Sequence, residues 1–275
     1  MKRCFLTRIC TGLLLLAASQ LAMAQPTPEA VAAFNAYAST VESRLAQQHR
    51  SDDAFLASTA SDRGTETMRL RNGELIVDRI VDRIPDQHFS SSEAEFSGSM
   101  LHHWRGTAFV PGATAADFER LMQNFPAYPQ YFSPQVLQAA LIAQSGVRMQ
   151  ASMRVRQQHV LTVVMDITYD IDYARLDKQH GYSISRSTRI AEIDSPGTAS
   201  ERALNAGEQH GFLWRLNTYW SYEEKDGGLY LQIESISLTR SIPHGLGWVI
   251  RPYIESIPRE SLEFTLRSTC NALRR

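Results

Sequence analysis

"LQIESISLTRSIPHGLGWVIRPYIESIPRESLEFTL", residues 231–266, changes from the pattern of a strand to the pattern of a helix. Ser256, with Pro258 two residues later, can open a helix. Its apolar stripe is formed by Ile257, Leu262, Leu266, Thr269 and Leu273. Pro252 lies one turn earlier, so we expect the residues from Leu246 to form a separate turn or a kinked part of the same helix. The stretch therefore predicts a last strand followed by a long C-terminal helix.

The chain before this stretch is patterned as half-buried strands. Apolar and polar residues alternate over 147–155 and again over 161–173, which is the period of an antiparallel strand with one buried face. Short polar turns separate these runs from further predicted strands at 136–144, 181–193, 211–224 and 229–241. The pattern predicts six consecutive antiparallel strands.

A strand and a helix precede this series. The strand covers 101–110 and ends at Pro111-Gly112, and Thr114 then caps a helix. The prolines of "NFPAYPQYFSP" break that helix and leave room for a second, short one. The predicted order is therefore strand, helix, short helix, six strands and a long helix.

The first residues have the pattern of an export signal. Lys2, Arg3 and Arg8 precede or enter the apolar run that ends in "GLLLLAASQLAMA", and residues 22–24 supply a small-x-small cleavage pattern. We predict a signal peptide at 1–24 and a periplasmic or secreted protein. The apolar run is shorter than the roughly 20 residues of a good membrane span, so no stable span is expected after cleavage.

Charge and cysteine content narrow the partners of the mature chain. Removing residues 1–24 takes three positive charges from a formal net charge of −1, which leaves −4. This balance favours neither a nucleic-acid partner nor an anionic membrane surface. Cys4 and Cys10 leave as well, so Cys270 has no partner for an intramolecular disulfide.

Residues 25–97 are predicted to form an N-terminal extension. Thr27 and Pro28 can begin a helix over 28–48 that has one amphipathic stripe. Residues 51–67 are small and polar and predict a linker, and Asn72-Gly73 is expected to turn between two short β-prone runs. A second unit is predicted at 98–275.

The element order across residues 98–275 resembles the START-like superfamily, also called SRPBCC. The stretch "LMQNFPAYPQYFSPQV" (121–136) is similar to the family's helix followed by an aromatic-proline turn, and residues 231–266 are similar to its last strand and helix. The resemblance implies an α+β helix-grip fold, in which a curved antiparallel sheet of about seven strands wraps the C-terminal helix. It also implies a pocket between sheet and helix that holds an apolar molecule or lipid, while some branches of the family are enzymes such as aromatase/cyclases.

Aromatic residues suggest one wall of this pocket. In "LWRLNTYWSY" (213–222) four side chains, those of Trp214, Leu216, Trp220 and Tyr222, fall on even positions, which predicts that they share one face of a strand. Tyrosine and tryptophan suit an apolar wall that meets a polar ligand group. We predict as ligand-binding residues Trp214, Leu216, Trp220, Tyr222, Met165, Ile167, Tyr169, Arg186, Glu234, Trp248, Tyr253 and Ile257.

Two of these residues are charged and are expected to point inward. Arg186 falls among the apolar positions of its strand, and Glu234 shares parity with Ile236 and Leu238. Because Leu229, Leu231 and Ile233 favour the other parity, a bulge or face switch is expected near Ser235. Either charge could anchor a polar head or act as an acid or base, or the two could pair with each other or reach the rim of the cavity.

Signatures of established chemistry are missing from the sequence. It contains no Gly-x-Ser-x-Gly elbow, no Gly-x-Gly-x-x-Gly and no phosphate loop. His102 and His103 are neighbours that must point to opposite sides of a strand, and no histidine pair has the spacing of a zinc-binding helix, so no metal or cofactor is expected.

The function that we predict is an exported binding protein for a hydrophobic small molecule or lipid. The alternative is a cofactor-independent cyclase or hydratase that uses polar residues of the same cavity. A third possibility is a filled interior, with the rings of Trp214 and Trp220 packed against Leu262 and Leu266.

Overall fold

The helices of the protein lie at both ends of the chain and between the first long strands. The computed structural model describes residues 25–51, 54–57, 63–80, 94–96, 98–158, 162–241 and 247–274. Within them the helices are α1 (Pro28–Gln48), α2 (Arg63–Arg71), α3 (Ala115–Gln123), α4 (Tyr128–Tyr131) and α5 (Gly247–Leu273), with a 3-10 turn at Phe125–Ala127. In this described part, no helix is both long and apolar enough to cross a membrane.

The strands form one antiparallel sheet. They are β1 (Ile76–Arg79), β2 (Ala94–Phe96), β3 (Ser99–Pro111), β4 (Val136–Ser145), β5 (Arg148–Gln158), β6 (Thr162–Arg175), β7 (His180–Asp194), β8 (Arg202–Ala203), β9 (Arg215–Lys225) and β10 (Gly228–Arg240). The order across the sheet is β1-β3-β10-β9-β7-β6-β5-β4, while β2 pairs with β3 and β8 with β7. The predicted α+β class is confirmed, and the long strands β3 to β7, β9 and β10 match the predicted sheet.

The sheet curls around α5. Gln157 of β5 bonds to Ser261 of α5, and the very next helix residue, Leu262, lies against Gly106 of β3. In the sheet order, β10, β9, β7 and β6 lie between β3 and β5. A flat sheet could not bring β3 and β5 to adjacent residues of one helix, because neighbouring strands are about 4.8 Å apart. We call the face that packs on α5 the inner face.

Helix α1 covers part of the opposite face, which we call the outer face. Thr27 caps the helix by accepting a hydrogen bond from the amide of Ala30 at 3.1 Å. The apolar stripe of α1 is buried against side chains of β3, β7, β9 and β10. The cluster contains Ala30, Phe34, Tyr37, Val41, Leu45, Leu101, Trp214, Tyr219, Ile236 and Leu238, with Ile184 packed against it. The helix predicted over 28–48 is confirmed and forms part of the core.

The interval predicted as linker and hairpin differs from the prediction. Residues 63–71 form α2, so the run before the Asn72-Gly73 turn is helical and not a strand. Gly73, at φ +86°, ends this helix. The amides of Gly73 and Glu74 bond to the carbonyls of Leu70 and Arg69, which is the Schellman closure of a helix. A glycine can adopt positive φ both in a hairpin turn and at the end of a helix. The Asn72-Gly73 pair alone therefore did not distinguish a hairpin from a helix end.

The bulge expected near Ser235 is absent. Strand β10 pairs without a break in register with both β3 and β9. Both faces of β10 are buried, one by α5 and the other by α1 and its neighbours. Apolar side chains at both odd and even positions are therefore buried without a bulge. An irregularity lies instead in β7, where Thr188 is the extra residue between the pairs Thr168–Arg189 and Tyr169–Ser187.

Candidate functional site

Small polar residues cross the inner face in the middle of the sheet. Strand pairing places Trp104 of β3, Ser235 of β10, Thr218 of β9 and Ser185 of β7 in one row. Directly paired residues share a face. The next row continues with Ser237 of β10 and Ser187 of β7. We call Ser185, Ser187, Thr218, Ser235 and Ser237 the hydroxyl patch.

Much of this row is open to solvent although it lies on central strands. Trp104, Ser235, Thr218 and Ser185 are only half-buried. One row away, Trp220 and Ile233 are buried in the cluster that contains Leu262 and Leu266 of α5. Trp104 packs against that cluster. Ser185, Thr218 and Ser235 keep part of their surface exposed although they lie on central strands, which indicates a hollow among the described residues of the inner face, beside the packed half of α5.

The hydroxyls of the patch are largely without hydrogen-bond partners. Ser187 accepts a hydrogen bond from the amide of Leu216 at 2.8 Å. Among the described residues, none is recorded for the side chains of Ser185, Thr218, Ser235 or Ser237. A hydroxyl group both donates and accepts, so the patch can bind a ligand's polar atoms through several short contacts.

His102 lies beside the patch. It pairs with Ser237 across β3 and β10 and its Nε2 lies 3.1 Å from the hydroxyl of Thr239. Its neighbour His103 points to the outer face, as expected for consecutive residues of a strand. His102 is thus an imidazole on the inner face that a ligand in the hollow would approach.

Gln157 of β5 and Ser261 of α5 form a polar pair at another side of the hollow. The inner positions of β5 are otherwise apolar, and Gln157 ends this row close to α5. Its Nε2 donates to Ser261 Oγ at 2.7 Å. Its Oε1 is buried and has no hydrogen-bond partner. Gln157 therefore presents a carbonyl oxygen whose bonding capacity is unused.

Half-buried apolar side chains line the same end of the inner face, and we call them the rim. They are Val155, Val163, Ile190, Leu213 and Phe264, which pack on one inner-face cluster, and Ile257 of α5. Val163 pairs directly with Gln157. Outside this rim lies a cleft of about 550 Å³, which is within the usual range of ligand pockets. Ile190 and Leu213 line it together with Pro28, Val31, Trp214 and Arg215. The cleft joins the start of α1 to the rim of the inner face.

The charged residues of the inner face that the structure describes lie near the ends of strands and are engaged. The Glu192 carboxylate accepts bonds from the amides of His210, Gly211 and Phe212. Glu224 accepts from the amide of Ala115 at the start of α3. The guanidinium of Arg175 bonds to Glu119. Arg79 ends β1 and pairs with Trp104, so it also lies on the inner face, at the edge of the sheet. Away from these strand ends, the described inner face is polar but uncharged.

Glu234, predicted to face the pocket, is on the outer face instead. It is buried there and bonded to Arg105 Nε at 2.7 Å, to His103 Nε2 at 3.0 Å and to Arg44 of α1. The expected inward orientation is wrong because, with no bulge in β10, the parity of Glu234 is that of the outer face. The residue ties α1 to the sheet.

Protonation within this outer cluster follows from burial and pairing. Burial lowers the pKa of His103, so its imidazole is neutral at neutral pH. The hydroxyl of Tyr37 can then donate to Nδ1 at 2.9 Å while Nε2 donates to the carboxylate. Burial alone would raise the pKa of Glu234, but the bond from His103 and the charges of Arg105 and Arg44 outweigh it and hold that pKa below its ordinary value. The cluster is a charged glutamate held by two arginines and a neutral histidine.

Arg186 also lies on the outer face. It forms a two-pronged pair with Glu42 of α1, at 2.9 and 2.7 Å, and a bond with Asp172 at 3.1 Å. The even position Ile184 packs in the α1 cluster, whereas Ile190, beyond the bulge at Thr188, lies on the inner face. The expected inward orientation of Arg186 is therefore wrong, and Arg186 and Glu234 pair with other residues, not with each other.

The aromatic stretch is divided between the two faces. Trp220 and Tyr222 belong to the inner cluster with Leu262, and half-buried Leu216 packs on the neighbouring inner cluster. Trp214 precedes β9 and packs in the α1 cluster instead. Its even position did not place it with the others because the strand's alternation begins only at Arg215. The filled interior with both tryptophans against α5 is thus contradicted for Trp214.

The other candidates are placed as follows. Met165, Ile167 and Tyr169 form a buried inner cluster under α3 and α4, and Ile257 is half-buried on α5. Burial raises the pKa of Tyr169 above its ordinary value, which makes it a poor base. The side chains of Trp248 and Tyr253 lie outside the described ones. The ligand contacts of all these residues stay predictions.

The hydroxyl patch and Gln157 were missed from the sequence. Serine and threonine are ordinary surface residues, so their presence in a strand carries little signal. The odd positions Ser235, Ser237 and Thr239 continue the inner parity of Leu229 to Ile233, and a search for polar residues on an apolar parity could have found them. The bulge at Thr188 brings even position Ile190 to the same face as the odd positions Ser185 and Ser187, and no pattern indicated this bulge.

Two further observations concern metal binding and the reactivity of Cys270. Among the described residues, no three His, Cys, Asp or Glu side chains are placed to hold a metal ion. Burial raises the pKa of the Cys270 thiol to about 11, so it is not a thiolate at neutral pH.

The described residues have the START-like, helix-grip fold that the sequence predicts. The STAR-related lipid transfer protein of Xanthomonas axonopodis is similar, at 16% identity over 66% of this chain and 96% of that chain, with a TM-score of 0.41. The Zhui aromatase/cyclase of Streptomyces sp. R1128 is 11% identical over 64% and 94% of the two chains, with a TM-score of 0.45. Human STARD10 is 9% identical over 77% and 80%, with a TM-score of 0.41.

No family model matches the chain, and no curated protein does. Because the TM-scores are below 0.5, these likenesses give no information about the ligand or activity of this chain. The assignment of the fold rests on the element order and on the curl of the sheet around α5.

Proposed function

We propose that this protein is an exported binding protein for an uncharged, amphipathic small molecule or lipid, held between the inner face of the sheet and α5. The hydroxyl patch is the observation that supports it best. Central-strand residues such as Thr218 and Ser235 are only half-buried, and their hydroxyls have no hydrogen-bond partner among the described residues. A hollow of this kind suits a ligand that has both polar and apolar groups.

The distribution of charge supports an uncharged ligand. Arg186 and Arg105 are paired with carboxylates on the outer face, and the middle of the described inner face offers hydroxyl and amide groups. A phosphate or carboxylate is usually bound by arginine or lysine, and burying an unpaired charge is costly. The cleft beside Ile190 and Leu213 is the proposed route of entry, since it connects solvent to the rim.

Two variants test this proposal. Thr218→Phe places a large ring in the hollow, while Thr188→Phe adds the same ring at the exposed bulge of the neighbouring strand. Protein purified from its own host is analysed by native mass spectrometry and by organic extraction, and binding of the neutral dye N-phenyl-1-naphthylamine is titrated. We expect an apolar compound and dye binding in the parent protein and in Thr188→Phe, and the loss of both in Thr218→Phe. An empty parent protein, or equal dye binding by all three, would contradict the proposal.

A cyclase or hydratase is the second candidate, and His102 is the observation that favours it. Arg186 and Glu234 do not reach the inner face, whereas His102 does and pairs with Ser237. Imidazole is a common acid or base near neutral pH. His102→Gln separates the two functions: an enzyme would keep its bound compound and lose turnover of it, while a binding protein shows no turnover before or after the change.

A further inference from the structure

Gln157 has a position that packing alone does not explain. The inner residues before it on β5 are Met149, Ala151, Met153 and Val155, and all of them pack in one apolar cluster. Gln157 continues this row and keeps its Oε1 buried without a partner. A buried carbonyl oxygen that has lost its water contacts and gained no donor lowers the stability of the fold. An apolar residue would cost nothing of the kind.

The orientation of the amide is set by α5. Its Nε2 donates to Ser261 Oγ at 2.7 Å, and this bond directs Oε1 away from the hydroxyl of Ser261. Half-buried Val163, which pairs with Gln157 across β5 and β6, and half-buried Phe264 of α5 belong to the same rim. The oxygen is therefore a fixed acceptor in an apolar rim beside the hollow.

We propose that Gln157 Oε1 accepts a hydrogen bond from a neutral donor of the ligand, an alcohol or an amide N–H, and so selects against anionic head groups. This inference rests on the proposed function and names the polar chemistry of its ligand. An alcohol supplies the donor that Oε1 lacks. A carboxylate or phosphate group would bring further lone pairs toward that oxygen and offer it no donor.

Three probes with the same alkyl chain test the selection. Dodecan-1-ol has a donor, 1-methoxydodecane has only an acceptor, and dodecanoate is anionic. Each displaces N-phenyl-1-naphthylamine from the parent protein, from Gln157→Met and from the control Gln158→Met, whose residue is exposed on the other face of β5. In the parent protein and the control we expect the alcohol to bind about tenfold more tightly than the ether or the carboxylate. In Gln157→Met we expect alcohol and ether to agree within about twofold.

Thermal melting without any probe gives a second readout. Gln157→Met should melt at the same temperature as the parent protein or higher, because it removes the unpaired oxygen, whereas a residue kept only for packing would melt lower when changed. Ser261→Ala, which frees the amide to rotate, should reduce the preference for the alcohol while the dye still binds.

The outcomes separate the two proposals. Equal binding of alcohol and ether by the parent protein, or an undiminished preference in Gln157→Met, would overturn the role of Gln157 and leave the proposed function standing. If the parent protein binds neither the dye nor any probe, both proposals fail.

Discussion

At the scale of single residues, Glu234 contributes most clearly to stability. Its carboxylate is the shared partner of Arg105, Arg44 and His103. Glu234→Gln keeps the shape of the side chain but leaves the buried guanidinium of Arg105 without its counter-charge. Breaking a buried pair in this way costs about 3 to 5 kcal/mol. We expect a decrease of that size in the free energy of unfolding, measured by urea titration.

The same change at an exposed pair is the control. Glu74 pairs with Arg69 on the surface, where solvent screens the interaction and replaces it when it is lost. Glu74→Gln should leave the urea midpoint where it is. If Glu234→Gln were equally silent, the buried cluster would not be what holds α1 to the sheet.

Residue positions on the site were only partly predictable. Alternation placed Trp220, Tyr222, Met165, Ile167 and Tyr169 on the inner face because each lies in a regular strand with one parity apolar. It failed for Arg186 and Glu234, because the sequence does not show that α1 buries the other face of the same strands. Odd and even positions show which residues share a face of the strand. Where a second element covers the other face as well, both sets of positions are apolar, and the pattern no longer shows which face points inward.

At the scale of elements, the close contact between β3 and α5 depends on Gly106, which has no side chain. A Cβ at Gly106 would lie 2.5 Å from Leu262 Cδ2 and 3.1 Å from Leu266 Cδ2. Gly106→Ala therefore pushes the helix from the sheet, and overpacking of this kind costs about 1 to 3 kcal/mol. We expect that loss in urea unfolding, together with altered dye binding, because the hollow lies next to this contact.

Two further variants check the cause. At Gly207 an added Cβ would meet nothing within 4 Å, so Gly207→Ala should not destabilise the protein. Leu262→Ala alone opens space at the contact, and in the double variant with Gly106→Ala the two losses should sum to more than is measured, because the new methyl group occupies part of that space. Strict additivity would mean that the two residues do not share a contact.

Element order was the most predictable level. The strands β3 to β7, β9 and β10 and the helices α1 and α3 lie close to where periodicity and capping predict them, while α5 begins at Gly247, before the predicted opening at Ser256. α2 was missed, because nine residues with few apolar side chains give a weak periodic signal. The curl of the sheet follows from contacts of β3 and β5 with the same helix, which no local pattern contains.

At the scale of the whole molecule, the sequence divides the chain into an extension and a START-like unit, and the packing of α1 bears on that division. Phe34, Tyr37, Val41 and Leu45 are each at most 3% exposed. Burying one such side chain is worth about 1.5 to 3 kcal/mol, so the four together are comparable with the roughly 5 to 15 kcal/mol that stabilise a typical domain. The burial of this helix, which lies outside the resembling region, is thus a gross stabilising term of the same order as that net stability, opposed by the conformational entropy lost when the helix is ordered.

Removing that helix tests whether residues 98–275 are an independent unit. A chain of residues 51–275, compared with 25–275, exposes Tyr219, Ile236 and Leu238 and takes Arg44 and Tyr37 from the buried cluster around Glu234. We expect it to be insoluble or to lose the cooperative urea transition seen for 25–275. A matched chain of 25–275 with Glu234→Gln, which weakens the cluster but keeps the helix, should unfold cooperatively at lower urea. If the chain of residues 51–275 unfolded cooperatively with the stability of the longer chain, α1 would be an accessory and the hollow would belong to a unit that is stable without it.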